Sequence, residues 1–206
     1  AVSIAPFDLL GDYMRGARGI MTDMYRRKDK LLAAMEKAVV FILRQTIATC
    51  KASGSRIVFI PTHWAADGFM SLQQFQTFWW PTFRKLLMGL IEAGLIPMPM
   101  WEADCTSRLE TIADIPRGKA IYWFERTDLV RAKQVLGDIV CLRGNVPASM
   151  MTTGTPGEVD AYCRHLIETV GKGGGFILDG SFGIPDESPV EHVRAMFAAP
   201  RKYAPS

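Results

Sequence analysis

The sequence predicts an α/β fold of the TIM-type (β/α)₈ barrel, present as a partial barrel of about five βα units. Short apolar runs rich in β-branched residues alternate with longer segments of helical periodicity. Near-continuous apolar strands of this kind belong in a parallel sheet covered by helices. A complete barrel takes about 250 residues. The chain has 206 residues, so we expect one domain, 1–206, that is the C-terminal portion of a barrel without its first strands.

The first predicted helix and strand lie within residues 30–60. Apolar residues recur at helical spacing over 30–50, Ser53-Gly54 ends the helix, and the β-branched run 56–60 predicts a buried strand. In a partial barrel this strand has an open edge, and exposed backbone groups along an edge need covering. We expect the N-terminal helices or another chain to cover it.

The second helix begins at a capping box, Ser71-Leu72-Gln73-Gln74, whose end residues satisfy each other's backbone N–H groups. Proline lacks the N–H that continues a helix, so Pro81 should kink it. Gly94 ends the helix, and 95–101 is the next predicted strand, although two prolines weaken its strand pattern.

The rest of the chain repeats this unit. Helices at 104–113 and 127–136, the second capped by Thr127, lead to strands at 119–124 and 139–142. Thr155-Pro156-Gly157-Glu158 combines an N-cap, a proline at the first helical position and a reciprocal glutamate. A strand near Phe176 follows, and Ser188-Pro189-Val190-Glu191 repeats the capping pattern before the last helix.

Composition narrows the class of protein. Hydrophobic residues make up 49% of the chain and its net charge is +3, with few clustered basic residues. This fits one domain with a sizeable core and lacks the basic surface of a nucleic-acid binder. The apolar runs are shorter than the roughly 20 residues that a membrane helix needs. The four cysteines lie far apart without a disulfide or metal spacing. We therefore expect a cytoplasmic protein that binds neither nucleic acid nor membrane.

Several motifs spread over nearly the whole chain resemble one superfamily. They are Arg15-Gly16-Ala17-Arg18-Gly19, Gly68-Phe69-Met70-Ser71, Phe78-Trp79-Trp80-Pro81, Arg143-Gly144-Asn145-Val146-Pro147, Gly154-Thr155-Pro156-Gly157-Glu158-Val159 and Gly173-Gly174-Gly175-Phe176-Ile177-Leu178. These motifs resemble those of the uroporphyrinogen decarboxylase superfamily, which includes the tetrapyrrole decarboxylase and corrinoid-linked methyltransferases. The resemblance implies a TIM barrel.

The chain departs from two patterns of that superfamily. Methyltransferase branches with a thiolate-rich zinc site carry His-x-Cys-Gly-Asp after one strand and a lone cysteine after the last. Here Met100-Trp101-Glu102-Ala103-Asp104 and Phe182 stand at those places, so Glu102 replaces a ligating cysteine. The histidine that the decarboxylase carries after its last strand falls near Ser181. The resemblance therefore favours the aryl methyl ether demethylases of the superfamily, which look similar because they bind zinc through carboxylates and histidine.

Barrel position selects the candidate site residues, because catalytic groups sit on the loops after the strands. His63, Glu102 and Glu125 are the candidate catalytic residues and a predicted nitrogen/oxygen site for zinc. Zinc there would act as a Lewis acid and ease methyl transfer to the corrinoid (cobalamin) of a partner protein. The substrate-binding candidates are Trp64, Asp67, Trp101, Arg126, Arg143, Asn145, Asp179 and Ser181, and the two tryptophans are expected to line an aromatic pocket.

Ordinary structural roles compete with these assignments. His63 could hydrogen-bond a loop carbonyl, and the two glutamates could pair with Arg126 or Arg143 as ordinary ion pairs. His165 and His192 lie in predicted helices beside polar positions, which indicates solvated surface.

Three functions for a small-molecule substrate stay open. The first is a metal-dependent methyltransferase that moves a methyl group from a small methoxylated or methylated donor to a corrinoid protein. The second is a tetrapyrrole decarboxylase without cofactor, for which Arg126 and Arg143 are the evident basic groups. The third is a non-catalytic barrel fragment or subunit, which would associate as a homodimer or with a complementing N-terminal chain.

Overall fold

Five parallel strands form one sheet whose spatial order follows the chain. The computed structural model describes residues 1–204. Its strands are β1 (Ile57–Thr62), β2 (Ile96–Trp101), β3 (Ile121–Phe124), β4 (Cys141–Val146) and β5 (Phe176–Gly180). Each strand pairs in parallel with the next. The predicted partial barrel of five βα units is confirmed.

The N-terminal residues cover the outer edge of β1. Val2 forms a parallel bridge with Phe59, whose N–H donates to Ala1 O and whose carbonyl accepts from Ser3 N, both at 2.9 Å. The hydroxyl of Ser3 lies 2.7 Å from that of Thr46. A short extended segment therefore covers this edge of β1. The sequence had predicted that helices or another chain would cover it.

Residues 6–53 form the helical region that precedes β1. Helix α1 (Pro6–Asp8) continues through a π-helical segment, Leu9–Arg15, into α2 (Gly16–Arg26). The long helix α3 (Lys28–Ser53) follows and ends at Gly54, which has a φ of +68°. Glycine adopts this left-handed conformation without a Cβ clash, so the predicted stop is confirmed.

The predicted capping box begins α4 (Leu72–Gln74), where Ser71 accepts from Gln74 N and Gln74 accepts from Ser71 N. A π-helical segment, Phe75–Trp79, joins α4 to α5 (Trp80–Glu92). Pro81 lacks an N–H for the carbonyl one turn earlier, and the wider π turn accommodates this missing donor. The structure thus has a π-helical segment just before Pro81, where the sequence predicted a kink.

The later helices differ from the prediction at their starts, and the helix at 148–153 was not predicted. They comprise a 3₁₀ turn (Thr106–Arg108), α6 (Leu109–Ile112), α7 (Leu129–Leu136), α8 (Ala148–Thr153), α9 (Pro156–Thr169) and α10 (Val190–Tyr203). The capping box of α9 is confirmed. Asp128, not Thr127, caps α7 by accepting from two backbone N–H groups. Pro189, not Ser188, precedes α10 without a side-chain cap.

The two faces of the sheet have different neighbours. Trp101 is fully buried among the rings of Trp79 and Phe83, at 5.7 and 5.8 Å between centroids, so its face packs on the helices. Alternate residues point to the opposite face, where Phe59 and Trp123 pack at 6.0 Å. The core thus lies between sheet and helices, while the other face corresponds to the barrel interior. None of the helices in residues 1–204 has the length and apolar character of a membrane span.

Candidate functional site

His63, Glu102 and Glu125 follow three neighbouring strands at the same level. The register pairs Thr62 with Trp101 and Trp101 with Phe124, the last residues of β1, β2 and β3. The residues that come next therefore emerge side by side at the carboxyl end of the sheet. This is the end at which barrel proteins place their catalytic groups.

Two carboxylates flank the imidazole of His63. Its Nδ1 lies 2.6 Å from Asp12 Oδ2, and its Nε2 lies 3.6 Å from Glu102 Oε1. Burial lowers the pKa of His63, but the hydrogen bond to Asp12 and the charges of Glu102, Asp8 and Asp12 outweigh it, so the pKa is raised. The arrangement favours a protonated ring.

Asp12 connects His63 to the neighbouring tryptophan. Its Oδ1 accepts from Trp64 Nε1 at 2.7 Å while Oδ2 contacts His63. Gly11 makes room for this contact, since a Cβ there would lie 2.8 Å from Trp64 Nε1. Trp64 therefore lies beside the site and is half-buried, and its role in lining an aromatic pocket stays a prediction.

Asp8 supports the same loop from inside the protein. This fully buried carboxylate accepts from Trp79 Nε1 and from the backbone N of His63, both at 2.8 Å. Burial, opposed by these hydrogen bonds, raises the pKa of Asp8 to about 7. Neither Asp8 nor Asp12 was among the site residues predicted from the sequence. Their only signal is a spacing of four residues, which places both on one side of a helix.

Glu102 and Glu125 have different surroundings. Burial raises the pKa of Glu102; the charge of His63 opposes this effect, and those of Glu125 and Asp12 add to it. Glu125 Oε2 accepts from Ala103 N at 2.6 Å. Ala103 has a φ of +54°, a conformation that non-glycine residues rarely adopt. Glu125 therefore stabilises the backbone turn that follows Glu102.

The predicted zinc ligands do not converge on a common point. Among residues 1–204, no three His, Cys, Asp or Glu side chains gather closely enough to hold a metal ion. His63 Nδ1 contacts Asp12 and Glu125 Oε2 accepts from Ala103 N, so Nε2 and Oε1 are the donor atoms left on these two side chains. The nitrogen and oxygen donors suit zinc chemically, but their arrangement does not fit it.

Two of the predicted substrate-binding residues serve the structure. Trp101 lies in the core and does not line a pocket, which corrects its assignment. Asp67 accepts from Ser107 N at 2.9 Å and lies 3.2 Å from the guanidinium of Arg108. Arg108 is itself 1% exposed and donates to the carbonyls of Ala65 and Met70. Asp67 thus helps to neutralise a buried charge.

Arg143 and Asp179 face the barrel interior. Arg143 Nε donates to Asp179 Oδ2 at 2.7 Å, and its guanidinium carbon lies 4.0 Å from the ring centroid of Trp123. Stacking and ion pairing hold the guanidinium over the sheet. The pair therefore forms a polar floor on the inner face, with its charge already balanced.

A cleft of about 400 Å³ opens at the carboxyl ends of β3, β4 and β5. Its lining includes Glu125, Arg126, Asn145, Ser149, Tyr162 and Ser181, three of them predicted substrate-binding residues. Asn145 Nδ2 donates to Thr127 O at 2.9 Å, and Ser181 Oγ accepts from Ala148 N at 3.2 Å. We call it the Arg126 cleft.

The two helical histidines differ in exposure. His165 lies on the surface, as predicted. His192 is 5% exposed and its Nδ1 lies 2.9 Å from Met151 O, so the predicted surface position is wrong. The contact links α10 to α8, and a buried ring nitrogen needs such a partner.

A parallel barrel sheet with polar residues at its carboxyl end defines the class of protein to which this chain belongs. The family model for Uroporphyrinogen decarboxylase (URO-D) matches residues 1–203, and the chain is a member of that family.

Individual relatives are distant in sequence. The chain is 23% identical over 206 residues to a uroporphyrinogen decarboxylase of Enterobacter sp. (strain 638), covering 98% of this chain and 56% of the relative. It is 28% identical over 172 residues to that of Psychromonas ingrahamii, covering 82% and 46%. A methyltransferase from Methanosarcina mazei superposes with a TM-score of 0.80 at 19% identity, covering 98% of this chain and 58% of that one. The chain thus spans about half the length of its relatives, and the structural likeness concerns the fold.

Proposed function

We propose that this chain forms the methyl-donor side of a methyltransferase, which moves a methyl group from a small methoxylated or methylated donor to a corrinoid protein. The observation that carries the proposal is the position of His63 between Asp12 and Glu102 at the carboxyl end of the sheet. The corrinoid, on its partner protein, would supply the nucleophile that accepts the methyl group.

His63 is suited to assist departure of the donor oxygen or nitrogen. Breaking the bond to the methyl group leaves negative charge on that atom, and a positioned acid lowers the barrier by protonating it. Asp12 fixes Nδ1, so Nε2 faces the space beside Glu102. A proton on Nε2 would pass to the leaving atom, and Glu102 would hold the ring in place.

The sign of the charges around His63 favours a donor with few negative groups. Asp12 and Glu102 contact His63, and the charge of Glu125 acts on Glu102. A polycarboxylate such as uroporphyrinogen needs several cationic partners, since a buried carboxylate without a partner is costly. Arg143 is already balanced by Asp179.

Zinc and the corrinoid partner stay predictions from the family resemblance. Metal analysis of the protein, and of its His63→Ala and Glu102→Ala variants, tests the zinc site separately from activity. Stoichiometric zinc lost in both variants would support it, and its absence in the parent after incubation with zinc would count against it. No step proposed above depends on a metal.

The functional test is demethylation of a panel of methoxylated aromatics with cob(I)alamin, followed by the phenol released and by the corrinoid spectrum. We expect His63→Gln to lower the rate about 100-fold or more, the usual range for loss of an acid. His165→Gln, a change on the exposed face of α9, is the matched control and should keep the rate. Equal activity of parent and His63→Gln would contradict the role of His63.

The second candidate is uroporphyrinogen decarboxylation. It is supported by the similarity to uroporphyrinogen decarboxylases, at 23% and 28% identity for the two relatives described above. The same preparations should be assayed for decarboxylation of uroporphyrinogen. Turnover there without demethylation would replace the methyltransferase proposal, and the absence of both reactions would favour a non-catalytic subunit.

A further inference from the structure

The Arg126 cleft contains a cation that forms no ion pair with the part of the chain that the structure describes. Arg126 takes part in none of the ion pairs formed within residues 1–204. By contrast, Arg108 is paired with Asp67 and Arg143 with Asp179. Of the three arginines Arg108, Arg126 and Arg143, it is therefore Arg126 whose charge a ligand can balance.

The backbone beneath Arg126 is fixed. Arg126 N donates to Ala103 O at 3.2 Å, and Glu125 N donates to Trp101 O at 3.1 Å. These bonds tie the loop after β3 to the end of β2. The guanidinium is exposed, but its attachment point is held, which reduces the ordering cost of binding an anion.

The rest of the cleft offers hydroxyl groups to accompany the arginine. Ser149, Tyr162 and Ser181 line it, and Tyr162 donates to Asn145 Oδ1 at 3.4 Å. Glu125 also lines the cleft, and one of its oxygens, Oε2, accepts from Ala103 N. One guanidinium with neighbouring hydroxyls matches a single carboxylate, which arginine binds through two parallel hydrogen bonds.

We propose that the Arg126 cleft binds the carboxylate of a small organic ligand. Its volume of about 400 Å³ is within the range of small-molecule sites. Glu125 lines the cleft, and its charge also acts on Glu102, so the cleft adjoins the His63 side. That the ligand is the methyl donor itself, a methylated carboxylic acid, rests on the proposed function.

Calorimetric titration with benzoate tests the binding site directly. We expect benzoate to bind the protein, and neutral benzamide of the same shape to bind at least about tenfold more weakly, as for loss of one charge-assisted hydrogen bond. Arg126→Gln should weaken benzoate to the same extent, and Arg126→Lys should retain part of the affinity. Arg117→Gln is the matched control, because this exposed arginine precedes β3 at the opposite end of the sheet.

Four results would overturn the assignment: no binding of benzoate to the parent, equal binding to Arg126→Gln, equal binding of benzamide, or tighter binding of inorganic phosphate. Thermal unfolding of each variant shows whether it is folded. The experiment separates the two proposals, because it needs neither a corrinoid nor turnover. Benzoate binding without demethylation would remove the proposed function while the carboxylate site stands.

Discussion

Replacing Asp8 with asparagine should change how the stability of the protein depends on pH. Asp8 is fully buried, and its pKa is raised from 3.8 to about 7. The folded protein therefore binds this proton more tightly than the unfolded chain does. The stability linked to the group is fully present below pH 3.8 and is lost as pH rises through about 7.

The size of the effect follows from the shift. A rise of about 3 in the pKa of Asp8, at ~1.4 kcal/mol for each pKa unit, corresponds to a loss of about 4 kcal/mol in the free energy of unfolding between pH 3.8 and about 7. Asparagine stays neutral, so Asp8→Asn should lack this decline. It also places an NH₂ group opposite one of the two donors, Trp79 Nε1 or His63 N, which adds a cost that does not vary with pH.

The measurement is urea unfolding of parent and Asp8→Asn at several pH values from 4 to 8. We expect the free energy of unfolding of the parent, minus that of the variant, to fall as pH rises. Asp138→Asn is the control, because the Asp138 side chain is 93% exposed. Parallel curves for parent and Asp8→Asn would refute the reasoning. A difference that grows with pH would mean that the two N–H donors outweigh burial and keep Asp8 ionised.

Three further changes test the packing around the site. Trp101→Ala should cost about 3–5 kcal/mol in urea unfolding because it empties a core position; a loss below about 1 kcal/mol would contradict full burial. Asp67→Asn should lower stability by about 1–3 kcal/mol, less than for a fully buried pair because Asp67 is partly exposed, and Asp67→Asn with Arg108→Met should recover part of that loss. Gly11→Ala should displace the Trp64 indole and cost about 1–3 kcal/mol, seen in unfolding and in Trp fluorescence; an unchanged spectrum would contradict the close approach.

The order of strands and helices could be predicted because each element carries its own local signal. The capping boxes at Ser71 and Thr155 and the left-handed Gly54 are short-range features, and all three hold in the structure. The failed cap at Ser188 has a local reason too. Pro189 occupies the N-cap itself, so the serine lies one residue too early to reach the first N–H groups.

The two prolines of β2 show where a local rule needed the sheet topology. Ile96 N donates to Arg56 O on the β1 side, so the N atoms of Pro97 and Pro99 point toward β3. Pairing between β2 and β3 begins only at Met100. Each proline therefore stands where no strand needs its N–H, and this could not be inferred before the strand lengths were known.

The site was predicted only in part because half of it comes from outside the strand ends. His63 lies beside Asp12, 51 residues earlier in the chain, through a π-helical segment that has no evident sequence signal. The assignment of Trp101 failed for a related reason. The face of the sheet that a strand residue occupies depends on the register. Trp101 pairs with Thr62 and Phe124 on the helix-covered face. Trp123 pairs with Arg143 on the inner face.

Glu125 acquires a different role once these contacts are considered together. As a metal ligand it would have only Oε1 free, because Oε2 accepts from Ala103 N and supports the left-handed conformation of that alanine. Such conformations persist only where the surrounding structure holds them, and each costs about 1–3 kcal/mol. The same turn orients Glu102 toward His63 and fixes the loop that carries Arg126. Glu125 is therefore better explained as a positioning residue that joins the His63 side of the site to the Arg126 cleft.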